Sequence, residues 1–238
     1  MKLKKVFQRK ETKYLLNQTQ FANFLEELQQ YMQIDQYGLH TIRSLYYDTT
    51  DYQFIHHSMD KPKYKEKFRI RSYGTPSADC LIFLEIKKKV KGIVYKRRLP
   101  MTYREYLTWV PTNQLPQALA TSQIGQEIHW LFLKHPDLNA KVLISYDRLS
   151  LFDEKDENFR VTFDQNIRFQ SKTPALEAER GELVAPELDV LMEVKAMGAY
   201  PLWFVNLLTK YHIQKSSFSK YAQTYQRHLF TEELFYVV

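Results

Sequence analysis

Residues 64–73 read Tyr-Lys-Glu-Lys-Phe-Arg-Ile-Arg-Ser-Tyr. In a strand, side chains alternate between faces, so Lys65, Lys67, Arg69 and Arg71 share one face, with Tyr64, Glu66, Phe68 and Ile70 behind them. Four like charges in a row repel, and such a row persists only in water or against a polyanion. The pattern recurs in Arg9, Glu11 and Lys13, in Glu85, Lys87 and Lys89, and in Lys96 with Arg98. It returns in Arg160, Thr162, Asp164 and Arg168, in Arg148, and in Glu193 with Lys195. Three strands repeat Glu-x-Lys, at Glu11–Lys13, Glu85–Lys87 and Glu193–Lys195. These faces carry fourteen Lys or Arg against four Asp or Glu, ten positive charges net, whereas the whole chain carries +7. For any one strand, the wet outer face of an antiparallel sheet is the simpler account. For the set it fails, because exposed surfaces mix their signs. If the strands close, an interior of Lys and Arg is a water-filled tunnel for a chain of phosphates. Carboxylates there would repel phosphate unless a divalent cation bridges them. The oxygen ligands Glu11, Glu85 and Glu193 suit Mg²⁺ or Mn²⁺.

Elements that would position these residues can be read from periodicity. Strands are expected at Val6–Leu16, Thr41–Tyr47, Tyr64–Tyr73, Leu81–Val90, Ile93–Met101, Val142–Phe152, Phe159–Phe169 and Leu188–Ala196. A hairpin is expected around Lys91-Gly92. Helical spacing marks Thr19–Met32, capped by Asn17 or Thr19, with further helices at Asp51–His57, Thr102–Trp109, Ser122–His135, Leu202–His212 and Phe218–Leu229. Ser171–Pro186 reads as a polar loop. The fold class is therefore α+β: an eight-stranded antiparallel barrel with peripheral and C-terminal helices, in one domain over residues 1–238.

Other chemistries are excluded. With six glycines there is no G-x-G-x-x-G and no G-x-x-x-x-G-K-[ST]. The adjacent His56-His57 lacks the spacing of a zinc site and reads as a surface helix. Trp130 and Trp203 fall at helical apolar spacing and are expected in the core. The single Cys80 cannot form an internal disulfide, which favours a reducing compartment and a cytoplasmic location. The N-terminus is basic without an apolar stretch behind it, and no run of eighteen apolar residues offers a membrane span. A net +7 calls for an anionic partner. A nucleic-acid-binding barrel would interleave aromatics with its basic rows, and here Tyr64 and Phe68 lie behind them.

In order along the chain stand Arg9-Lys-Glu-Thr-Lys-Tyr14, Leu45-Tyr-Tyr-Asp48, Phe68-Arg-Ile-Arg-Ser-Tyr-Gly74, Leu84-Glu-Ile-Lys87, Tyr146-Asp-Arg148, Arg160-Val-Thr-Phe-Asp164, Leu191-Met-Glu-Val-Lys195 and Phe218-Ser-Lys-Tyr221. In these the sequence resembles the VTC domain, a polyphosphate polymerase module, from about Arg9 to about Tyr225. That module belongs to the CYTH, or triphosphate tunnel metalloenzyme, superfamily. The resemblance implies a tunnel that takes ATP and polyphosphate, or triphosphate in a hydrolase. It implies phosphate-binding roles for Lys13, Arg69, Arg71, Lys87, Lys96, Arg148 and Arg160, a metal-binding role for Glu193, and a contact from Ser219-Lys220. Alternation adds Lys67, Arg98 and Lys195 to the phosphate set. Two positions depart from the family pattern. Arg9 stands where many members carry a first glutamate, and Ser217 stands where a lysine often precedes Phe-Ser-Lys, with Lys215 two residues earlier. The phosphate-sensing and membrane parts of the eukaryotic proteins have no counterpart in this sequence. A membrane-bound partner would be of unknown kind.

Overall fold

The computed structural model describes residues 10–60, 62–90, 93–112, 115–179 and 181–230. Arg9, the start of the expected first strand and the Lys91-Gly92 turn lie outside them. The strands are β1 (Lys10–Leu16), β2 (Gln33–Ile34), β3 (His40–Asp48), β4 (Tyr64–Tyr73), β5 (Leu81–Val90), β6 (Ile93–Thr102), β7 (Asn139–Phe152), β8 (Arg160–Gln170), β9 (Glu182–Leu183), β10 (Val190–Ala196) and β11 (Lys215–Ser216). The helices are α1 (Gln18–Leu28), α2 (Gln53–Met59), α3 (Tyr103–Thr112), α4 (Gln117–Ala120), α5 (Gln123–Lys134), α6 (Leu202–Lys210) and α7 (Lys220–Thr224), the last followed by a π-helical turn over Tyr225–Leu229.

The chain packs as two compact units. The first takes the described parts of Met1–Thr41, Tyr146–Ile167 and Ala185–Ser219. Its hydrogen-bonded strand order is β11-β1-β10-β8-β7, with β2 added on β7. One sheet face carries Tyr14, Leu16, Leu149, Val161, Phe163, Met192 and Val194 into a core closed by Phe21, Phe24 and Leu28 of α1 and by Phe204 and Leu207 of α6. Helix α1 starts at a capping box: Asn17 Oδ1 accepts from the Gln20 amide at 2.8 Å, and Gln20 Oε1 accepts from the Asn17 amide at 3.1 Å. Trp203 packs on this core and stacks on Tyr31 at 4.4 Å.

The second unit takes Ile42–Ser145, Arg168–Val184 and the described part of Lys220–Val238. Its strand order is β7-β3-β4-β5-β6, with β9 added on β8. Leu45, Tyr47, Phe68, Ile70, Ile82, Leu84, Ile86, Leu99 and Met101 form the apolar face, covered by Tyr103, Tyr106 and Trp109 of α3 and by Ile128 and Leu131 of α5. A cavity of about 490 Å³ lies under those helices, lined by residues that include Tyr47, Tyr106, Trp109 and Phe132.

The α+β antiparallel class is as expected, while the count and closure of the strands are corrected. Among the described residues there are eleven strands, and β11 and β6 stand as the ends of the hydrogen-bonded order. The additions β2, β9 and β11 are two-residue pairings, too short to leave a periodic signal. The core assignment of Trp130 is also corrected. It is 67% exposed, because α5 buries its Gly125–Ile128–Leu131 stripe and turns Trp130 and Leu133 outward.

Candidate functional site

In each unit the face opposite the core is the charged one. In the second unit, the registers of β3, β4, β5 and β6 set Tyr46, Arg69, Glu85 and Arg98 in one cross-strand row. Lys67, Lys87 and Lys96 form the next row. Ser44 and Arg71 pair on the other side of Tyr46–Arg69. Glu85 is 1% exposed and is the hub. It accepts from Arg69 Nε at 2.9 Å and Arg69 Nη2 at 2.8 Å, and from Lys96 Nζ and Arg98 Nε, each at 2.8 Å. Arg69 Nη1 donates to the Tyr46 hydroxyl at 2.9 Å, and Arg71 Nε donates to Ser44 Oγ at 3.2 Å. The Arg98 guanidinium lies 4.3 Å from the Phe83 ring centroid.

Leu45-Tyr-Tyr-Asp48 acts as a bracket for this row. Buried Asp48 accepts from the amides of Phe54 and Ile55 at 2.8 and 3.1 Å, which fixes the start of α2. It also accepts from the Tyr221 hydroxyl at 2.8 Å. Tyr221 in turn stacks on Tyr46 at 4.7 Å, with Lys67 Nζ 5.8 Å from the Tyr221 ring. Tyr47 points the other way, into the core.

The electrostatics follow. Burial pushes the Glu85 carboxyl up, but Arg69, Arg71 and Lys96 outweigh it and hold Glu85 well below the usual carboxylate range. Burial, with Arg98 and Arg69 nearby, brings the Lys96 ammonium down to about 8 against the pull of Glu85. Burial would raise the Tyr46 phenol, yet Arg69, Arg71 and Lys67 bring it down to about 8. As pH rises through that value, Tyr46 gains a negative charge inside the cationic row. Replacing it tests this. Between pH 7 and 9, tripolyphosphate affinity of the wild type is expected to fall relative to Tyr46→Phe by roughly tenfold, the effect of about 1.4 kcal/mol. The ligand's own ionisation is common to both proteins, so calorimetric titration of the pair isolates the phenol. A constant ratio would remove Tyr46 from the phosphate row.

In the first unit, β1, β10 and β8 set Lys13, Glu193 and Thr162 in one row and Glu11, Lys195 and Arg160 in the next. Lys13 Nζ lies 3.3 Å from Glu193 Oε1 and donates to the Phe218 carbonyl at 2.6 Å. Arg148 grips Asp164 with two hydrogen bonds, Nε to Oδ1 at 2.5 Å and Nη2 to Oδ2 at 2.6 Å, and Nη2 reaches Glu193 Oε2 at 3.4 Å. Burial opposes the charge on Arg148, but Asp164, Tyr146 and Glu193 hold the guanidinium well above its ordinary value. Fully buried Asp164 is the residue that strand alternation left without a role. Its place in Arg160-Val-Thr-Phe-Asp164, on the face of Arg160 and Thr162, was the available signal. Ser219 is half-buried and Lys220 buried. Lys215 pairs with Tyr14, which puts its side chain on the face opposite that of Lys13.

Ions of the Mg²⁺ and Mn²⁺ class take one or two protein carboxylates together with substrate phosphates. Glu193 fits that mode, since its contacts at 3.3 and 3.4 Å are looser than those locking Asp164. Glu11 is exposed and lies opposite Lys195. The oxygens of Glu85 are taken by three cationic side chains. Among the described residues, no group of three or more His, Cys, Asp or Glu side chains could hold a metal by itself.

The VTC domain family matches the sequence over residues 8–229. Solved structures share the fold at low identity. A candidate adenylate cyclase of Bacillus halodurans is 14% identical with a TM-score of 0.57, over 94% of this chain and 100% of that one. A candidate adenylyl cyclase of Hippeastrum, described as having a dominant triphosphatase activity, is 13% identical with a TM-score of 0.51, over 91% of this chain and 94% of that one. No curated protein matches.

Proposed function

The chain belongs to the VTC domain family, and from that premise we propose that it is a metal-dependent polyphosphate polymerase. It moves the γ-phosphate of ATP onto a growing polyphosphate chain. The observation that carries this reading is the hub at Glu85, where one buried carboxylate holds Arg69, Lys96 and Arg98 in fixed positions beside Tyr46. Phosphoryl transfer needs such positioned cations more than it needs a covalent nucleophile.

In the reaction, a terminal phosphate oxygen of the chain attacks the γ-phosphorus. The bond from that phosphorus to the β–γ bridging oxygen breaks, ADP leaves with the electron pair, and the chain grows by one phosphate. Arg69 and Arg71 clamp phosphate oxygens with planar, two-pronged guanidinium groups. Glu85 keeps the forks of Arg69 and Arg98 aimed. Lys67, Lys87 and Lys96 of the second unit act as point charges for phosphate, and Arg160 and Lys195 offer charges of the same kind on the first unit's own charged face. Asp164 aims Arg148, the Phe218 carbonyl holds Lys13, and Ser219 with Lys220 adds contacts at the closing segment. Glu193 would hold a divalent cation, which would supply charge neutralisation to the transferring phosphoryl group. A hydrolase of the same fold would use water in place of the chain terminus.

None of the helices in the described residues is long and apolar enough to cross a membrane. The single, exposed Cys80 suits a cytoplasmic protein.

The reading predicts ADP release from ATP that depends on added Mn²⁺ or Mg²⁺ and on the strand arginines. Arg69→Ala and Arg71→Ala are each expected to weaken tripolyphosphate binding by roughly 1.5–3 kcal/mol, the range for charged hydrogen bonds. Arg71→Lys restores part of it, since an ammonium lacks the fork. Lys155→Ala, on an exposed turn, changes little at physiological salt. Equal losses at all three positions, erased by salt, would mean that the +7 charge acts diffusely.

A further inference from the structure

The apolar side of the second unit's sheet holds the cavity of about 490 Å³ under α3 and α5. Tyr103, Tyr106 and Trp109 fall three residues apart, so α3 turns all three rings to one face. Tyr47 of β3 and Phe132 of α5 complete a lining of five aromatic residues. Interiors pack closely, and a space of this volume falls in the range of small-molecule sites. Three residues of its wall, Leu107, Val110 and Asn139, are exposed, so it opens to the surface.

The rings do not use one another up. Tyr103 and Tyr106 stack at 5.6 Å, but Trp109 meets Phe132 at 75° and Phe132 meets Tyr47 at 69°. In an edge-to-face pair one ring gives only its edge, and its negative face stays available. Elsewhere in the protein such faces carry cations. The Lys141 ammonium lies 5.2 Å from the Tyr52 ring, and the Arg148 guanidinium 5.2 Å from the Tyr146 ring. Among the described residues, no Lys or Arg lines the cavity or stands over its five rings.

Glu177 is the one charged residue among those of the described lining, and it is exposed at the mouth. Its Oε2 accepts from the Tyr103 hydroxyl, and among the described residues no ion pair neutralises it. Burial, and then that bond, push the Tyr103 phenol up, so it stays a donor and keeps the carboxylate in place. The Tyr47 and Tyr106 hydroxyls bond each other at 3.2 Å, so the deeper polar wall is neutral.

We propose that this cavity binds an organic ammonium ion with a compact aromatic or apolar body, its charge held between Glu177 and the ring faces. A carboxylate beside open ring faces attracts a cation and repels a phosphate or a second carboxylate. Tyr47 points away from the row that Tyr46 joins, so the site lies on the other side of the sheet from Arg69 and Glu85. It does not depend on the phosphate reading of that row.

Phenethylammonium, phenethyl alcohol and 3-phenylpropionate offer similar bodies with a positive, a neutral and a negative end. Each is titrated calorimetrically into the whole protein as wild type, Glu177→Gln, Leu107→Trp and Glu154→Gln, the last on an exposed turn of the first unit. The wild type is expected to bind the ammonium at least about tenfold more tightly than the alcohol, and to leave the anion unbound. Glu177→Gln should lose about tenfold for the ammonium and hold the alcohol within about twofold. Leu107→Trp, at a half-exposed wall position, fills the mouth and should block both. Glu154→Gln should match wild type, and tripolyphosphate affinity should not change in Glu177→Gln. Equal affinity for ammonium and alcohol, or binding of none of the three, would overturn the site. So would equal losses in the two glutamate variants, or unimpaired binding in Leu107→Trp. A protein that never releases ADP from ATP would leave this result standing, and failure of this site would leave the polymerase reading standing.

Discussion

Glu193→Gln is expected to lower metal-dependent turnover at least about 100-fold, the loss that several kcal/mol of charge stabilisation implies, with the fold intact. The substitution keeps shape and removes the charge that would hold the cation. Lys13 retains the Phe218 carbonyl and Arg148 retains Asp164, so neither basic partner is stranded. Tripolyphosphate binding without metal should hold or tighten, because a repulsive carboxylate has gone from between two cations. Initial rates across a Mn²⁺ titration, beside a thermal melt, check both halves. Wild-type rates in Mn²⁺ would take the metal role from Glu193. The same rates in Glu85→Gln would not bear on it, since Glu85 is engaged by cations.

Glu85→Gln should instead strike stability. The carboxylate is buried, and its loss leaves Arg69, Lys96 and Arg98 converging without a counter-charge. Breaking a buried ion pair from one side costs about 3–5 kcal/mol. Lys96 and Arg98 keep partial contact with water, so the lower figure applies. At neutral pH this corresponds to a melting temperature lower by about 10 °C. The sign with pH follows from the depressed Glu85 ionisation. Its stabilisation is full above the ordinary carboxylate range, shrinks progressively as pH falls below that range, and is gone only below the depressed value. The gap between wild type and variant should therefore hold from neutral pH down to about pH 5 and narrow steadily in stronger acid. Added tripolyphosphate should recover more stability in the variant than in the wild type, because its charge replaces the missing one. A variant melting within about 2 °C of wild type would show that the hub does not hold the row together.

How much was legible before the structure differs by residue. The faces were, since alternation alone put Lys67, Arg69 and Arg71 opposite Phe68 and Ile70, and the register keeps them there. Tyr64–Tyr73 and Leu81–Val90 match β4 and β5 end to end because their β-branched and aromatic pattern stops in the sequence at Gly74 and at Lys91-Gly92. The partnerships were not legible. Nothing local says that Glu85 gathers Arg69, Lys96 and Arg98 from two neighbouring strands, because that depends on register rather than on spacing within one strand. Asp164 escaped for the same reason: its partner Arg148 sits sixteen positions away, on another strand. Trp130 misled because apolar spacing marks a stripe but does not say where it ends, and α5 has enough apolar residues for an exposed one beside a buried set.

The account rests most heavily on where the γ-phosphate of ATP goes. Phosphorus-31 spectra recorded during incubation of the wild-type protein with ATP and Mn²⁺-exchanged, then chelated, samples follow it directly. The account predicts growth of mid-chain phosphoanhydride signals in step with ADP, abolished in Arg69→Ala and in Glu193→Gln. Orthophosphate as the only new phosphorus signal, in step with ADP, would contradict synthesis and assign the same residues to hydrolysis.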